Sequence, residues 1–131
     1  MNSEKPDPQE SYSIRRALTA AYMLFVAIVS LLPSTSLPET PTGLHADKIG
    51  HFVIYAGMAM LCLYSLPAMK RVRFALMIGL SCSAYGGVIE CLQPVLQPGI
   101  RIFSTADMAA NTAGAFLGAI LFVRLPLLRK R

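Results

Sequence analysis

Four runs of mostly apolar residues, at 17–32, 49–66, 74–92 and 106–123, set the limits on what this chain can fold into. A helix rising about 1.5 Å per residue needs about 20 such residues, with a usual range of roughly 17 to 25, to cross a bilayer. The first and last runs are the shortest, and all four reach or approach that length. Polar punctuation separates them: 33–45 is rich in Pro, Ser and Thr, 70–73 is a tight basic turn, and 93–105 holds two prolines and a glycine. The pattern predicts an all-α polytopic membrane protein, a bundle of four transmembrane helices. A polar segment, 1–16, precedes this 17–123 domain, and a basic tail, 124–131, follows it.

Composition agrees. Apolar residues are 54% of the chain and charged residues 15%, against about a quarter charged in soluble domains. Cys62, Cys82 and Cys91 lie in or beside apolar runs, with neither a C-x-x-C pair nor an even disulfide framework, and read as buried free thiols. The net charge of +5 does not point to nucleic acid, because the basic residues sit at the ends of apolar segments. There they set orientation. Alternate loops place Lys5, Arg15, Arg16, Lys70, Arg71, Arg73, Arg124, Arg129, Lys130 and Arg131 on one side, and only Lys48 and Arg101 on the other. The positive-inside rule then puts both termini in the cytoplasm. A rival reading takes the first run as a secretory signal, with Arg15 and Arg16 before it and a small-x-small site at Ser34-Thr35-Ser36. The run is long for a signal, and three remaining spans would start outside, so a retained first span is expected.

In that orientation the polar side chains gather at one end. The second helix begins there with Asp47, Lys48, His51 and Tyr55, of which Asp47, His51 and Tyr55 share a face at i, i+4 and i+8. The third ends there with Glu90 and Gln93, and the fourth starts there with Asp107 and Asn111, after Arg101 in the preceding loop. Glu90 lies 17 residues beyond Arg73, so about 25 Å along a helix, just inside the outer interface of a hydrocarbon layer about 30 Å thick. Ionisable groups at such depth usually face a partner or a wet cavity. Two helix N-termini add their positive dipole ends. With Lys48, Arg101 and, when it is protonated, His51, they favour an anion such as a phosphate head group.

Plainer roles compete. Ser104-Thr-Ala-Asp107 has the form of a capping box, so Asp107 can serve the fourth helix as a cap, and Asp47 the second. Lys48 can snorkel to the interface, and Tyr55 can belong to an aromatic belt. His51 can simply pack. Glu90, at a helix's C-terminal end, has no capping role; its structural alternative is an ion pair with Arg101 or Lys48. Gly114-x-x-x-Gly118, extended by Ala110, together with Ala84, Gly86 and Gly87, predicts close helix contacts that bring Glu90 to the start of the fourth helix.

The strings DKIGHFVIYAGMAML (47–61), GGVIECLQ (86–93) and RIFSTADMAANTAGAFLG (101–118) resemble the VanZ-like family of small bacterial membrane proteins. The matching positions are Asp47, Lys48, His51, Tyr55, Glu90, Gln93, Arg101, Asp107 and Asn111. The resemblance implies a multi-pass envelope protein of mostly undefined biochemistry, whose founding member is associated with resistance to the glycopeptide teicoplanin. The phosphotransbutyrylase label given to some members finds no acyl-CoA or nucleotide site in this sequence.

Three functions follow as expectations. The leading one is binding of an anionic envelope lipid or lipid-linked precursor in an outer-face polar pocket, with a link to teicoplanin tolerance open to test. The second is an enzyme on such a lipid, with His51 and Glu90 or Asp107 as acid and base and Tyr55 orienting the substrate. The third is a small transporter, which the shallow depth of Glu90 disfavours. No cofactor is expected, and no metal: His51, Glu90 and Asp107 form no tight ligand pattern. Oligomeric state is not legible.

Overall fold

The computed structural model describes residues 8–32, 44–66 and 72–125. Among them are four helices, α1 (Pro8–Leu31), α2 (Leu44–Ser65), α3 (Val72–Leu96) and α4 (Thr105–Arg124), and no strand. All four are long and apolar enough to cross a membrane. Helix is what such runs must form in hydrocarbon, because each segment then satisfies its own backbone polar groups. Of the residues that carry the charge asymmetry, Lys5, Lys70, Arg71, Arg129, Lys130 and Arg131 lie outside the described residues, as do Ser34, Thr35 and Ser36.

Cross-helix contacts give the directions. Thr19 and Tyr22 of α1 donate to the carbonyls of Leu61 and Ile54, so α1 and α2 are antiparallel. Tyr85 reaches the carbonyl of Met23 and Gln93 that of Ser30, so α1 and α3 run parallel. Lys48 meets Asp107 and His51 meets Asn111, so α2 and α4 run parallel. The topology is up-down-up-down, and the starts of α2 and α4 share one end of the bundle with the finishes of α1 and α3.

The helices extend past the apolar runs. α1 begins with Pro8, at a position where a missing N–H costs nothing. It takes in Arg15, whose guanidinium lies 4.3 Å from the centre of the Tyr64 ring on α2. α3 continues through Pro94 to Leu96. A proline there deletes the helical hydrogen bond to the carbonyl of Glu90. The chain then turns on Gly99, at φ +78°, a conformation that glycine adopts without a Cβ penalty. The amides of Ile100 and Arg101 both donate to the carbonyl of Gln97, which brings Arg101 back beside the bundle.

The tightest seam joins α2 and α4. Gly114 and Gly118 lie against the backbone of Phe52 and Ala56, and a Cβ at either would collide with their carbonyls. The G-x-x-x-G pair therefore serves α2, not the approach of α3 expected from the sequence. α3 meets the others through separate glycines: Gly79 lies on the Phe116 ring, Gly87 on Met108, and Gly86 under Tyr55 and Asn111. Ala115 and Ala119, which follow these glycines on α4, are fully buried. α1 packs shallowly, with 11% of its membrane-length window buried against 39% for α3 and for α4. Its Leu18, Leu24, Phe25 and Ile28 face outward, as the lipid-facing side of a membrane helix does. Cys82 is buried as expected, whereas Cys91 is exposed on the apolar surface of α3.

Candidate functional site

The polar end divides into groups that find partners and groups that do not. On the seam, Lys48 of α2 forms an ion pair with the Asp107 carboxylate of α4. Ser104 caps α4 and accepts a hydrogen bond from the Asp107 amide at 3.2 Å. The backbone of Asp107 thus serves the cap, while its carboxylate serves the interhelical pair. Asp47 lies within the first turn of α2, which begins at Leu44, so it acts on the helix dipole rather than as the cap. One turn on, His51 Nδ1 meets Asn111 Oδ1 at 3.0 Å. Facing an amide oxygen, Nδ1 is the donor of this pair, and in the neutral ring Nε2 holds the lone pair. Nε2 points towards Asp47 Oδ1 at 3.8 Å, beyond hydrogen-bond length.

Glu90, Tyr55 and Asn111 are each 1% exposed, yet only Asn111 has its polar group matched. Neither carboxylate oxygen of Glu90 has a hydrogen-bond partner, and nor does the hydroxyl of Tyr55. Asp107, Lys48, Arg101 and His51 all lie near Glu90, and the Ser104 amide approaches it without full hydrogen-bond geometry. Arg101 is half-buried, and its Nε also lacks an acceptor. Neither ion pair foreseen for Glu90, with Lys48 or with Arg101, is formed. Gly86 makes this packing possible, since a Cβ there would stand 2.8 Å from the Tyr55 ring and 3.0 Å from the Asn111 amide nitrogen.

Gln93 has a different task from its neighbours. Its amide donates to the carbonyl of Ser30 at 3.1 Å, while Gln97 donates to Leu31 and Leu32 at 2.7 and 3.0 Å. Together they satisfy carbonyls that the end of α1 leaves free. Gln97 was not foreseen. Its i+4 spacing from Gln93 is a readable signal, but Pro94 and Pro98 give the segment after Leu92 the look of a loop.

A cavity of about 280 Å³ opens between α1, α2 and the end of α3. Val26, Val29 and Ile54 are its aliphatic lining, Asp47, His51, Gln93 and Arg101 its charged and strongly polar lining, and Ser30, Gly50 and Tyr55 complete it. Five of the nine sequence-derived candidates, Asp47, His51, Tyr55, Gln93 and Arg101, therefore line it. Lys48, Glu90, Asp107 and Asn111 are not among its lining residues, and pack between the helices beside it. Asp47, His51 and Asp107 bring potential metal-ligand atoms within 4.8 Å of one another. Sequence had grouped His51 and Asp107 with Glu90 instead, because the cross-helix register was unknown.

The family model VanZ/LLP1 matches residues 5–129, nearly the whole chain. No curated protein and no solved structure matches it.

Proposed function

The chain belongs to the VanZ-like family, and we propose that it takes the anionic head of an envelope lipid or lipid-linked precursor into its polar cavity. The observation that carries this reading is Arg101: a half-buried guanidinium whose Nε lacks an acceptor, lining a cavity that Val26, Val29 and Ile54 also line. An amphiphile suits such a cavity, with its chain along Val26, Val29 and Ile54 and its phosphate or carboxylate on the Arg101 fork. The start of α2 adds a positive dipole end nearby. The excess of Lys and Arg at the other end supports both termini in the cytoplasm and the cavity on the outer side of a bacterial inner membrane.

Lys48 drops out of the anion-binding set, because Asp107 already neutralises it. Lipid mass spectrometry of the protein purified from bacterial membranes tests the proposal. A co-purifying anionic lipid that is depleted in Arg101→Gln is the expected result; an unchanged lipid profile rejects it. Teicoplanin susceptibility of cells carrying the same two forms asks whether this binding bears on tolerance.

A second reading, an enzyme acting on such a lipid, is favoured by one feature: Asn111 orients His51 beside the unpaired carboxylate of Glu90. Under that reading, turnover is lost in both His51→Ala and Glu90→Gln while lipid binding persists.

A further inference from the structure

We propose that Asp47, His51 and Asp107 form a binding site for a divalent metal ion of the zinc or manganese type, at the junction of α2 and α4. Asp47 and His51 stand four residues apart on one helix, which directs both side chains to one point, and Asp107 reaches the same point from α4. The donor set is one imidazole nitrogen and two carboxylates. That mixture suits Zn²⁺ or Mn²⁺ better than Ca²⁺ or Mg²⁺, which prefer oxygen alone.

The imidazole is already set for the task. A metal-bound histidine commonly donates its other ring N–H to a fixed acceptor, which settles the tautomer and aims the lone pair. Asn111 is that acceptor for Nδ1, at 3.0 Å, and Nε2 points towards Asp47. Donors on one ion stand about 3 Å apart. The 3.8 Å from His51 Nε2 to Asp47 Oδ1 closes with a small swing of the exposed Asp47 side chain.

A second observation points to a cation independently. Glu90 is 1% exposed, both its oxygens are unpaired, and it lies beside Asp107 and His51. The three carboxylates Asp47, Asp107 and Glu90 outnumber the two cations near them, Lys48 and Arg101, and a bound cation relieves that deficit. Lys48 is then the resident cation when metal is absent: its ammonium holds Asp107 and gives way when the ion binds. A metal here would stand next to the cavity that Arg101 lines, although the inference does not depend on what that cavity holds.

The test uses chelator-stripped full-length protein in detergent, titrated with Zn²⁺ or Mn²⁺ alone. One equivalent should bind. Asp47→Asn, at an exposed position that the fold does not need, and His51→Gln should each weaken binding at least about tenfold. Lys48→Gln should strengthen it by releasing Asp107. Pulsed electron paramagnetic resonance of the Mn²⁺ form should show coupling to an imidazole nitrogen, lost in His51→Gln. Absence of binding overturns the proposal, and so does wild-type affinity in Asp47→Asn, which would mark the ion as adventitious.

Discussion

The two halves of the polar end are built from the same kinds of residue and treat them in opposite ways. On the α2–α4 seam, Lys48 is matched with Asp107 and His51 with Asn111. Beside it, at the end of α3 and in the loop after it, Glu90 and Arg101 are left with unmatched polar atoms, as is the hydroxyl of Tyr55. Leaving a buried polar atom unmatched costs on the order of 1–3 kcal/mol, and more for a charge. The seam has removed that cost, and the α3 side keeps it. The contrast teaches that clustering of polar residues does not by itself mark a binding site: the matched half holds the helices in register, and the unmatched half is where a ligand gains most.

Substitutions can break or sharpen this contrast. The largest loss should come from the seam's foundation. Gly114→Leu drives a side chain into the Phe52 carbonyl and should cost about 3 kcal/mol, the upper part of the overpacking range, read as a fall in thermal midpoint in detergent. Next, Asn111→Ala strips His51 of its partner and should cost about 1–2 kcal/mol. Gln97→Ala releases two carbonyls at the end of α1 and should cost about 1 kcal/mol, visible as earlier proteolysis or faster hydrogen exchange in α1 while α2 and α4 hold. Glu90→Gln should have the opposite sign, leaving the midpoint equal or raising it by up to about 1 kcal/mol, since it removes a buried carboxylate that nothing matches. If Glu90→Gln destabilised as much as Asn111→Ala, the two halves would not differ and the contrast would fail.

The four helices and the gathering of polar groups at one end were legible because each rests on a local rule: length against bilayer thickness, and side chains repeating every turn. The shared face of Asp47, His51 and Tyr55 followed from spacing within one helix. Partnerships across helices were not legible. Whether Lys48 finds Asp107, Glu90 or an external anion depends on the register of α2 against α4, which Gly114 and Gly118 set by seating on the Phe52 and Ala56 backbone. A glycine pair in a sequence does not announce which helix it serves. The end of α3 was obscured for another reason: Pro94 reads as a stop, yet in the last turn of a membrane helix it deletes only one internal hydrogen bond. Gln97 stayed hidden behind it.

The most direct test of the ligand-facing half measures stabilisation by ligand. A short-chain anionic phospholipid, added to detergent-purified protein, raises the thermal midpoint in proportion to its preference for the folded state. The account predicts a rise for wild type, none for Arg101→Gln, a lipid-free midpoint for Arg101→Gln no lower than that of wild type, and no comparable rise with a zwitterionic phospholipid of the same chain length. An equal rise in Arg101→Gln, or an equal rise with the zwitterionic lipid, would contradict it.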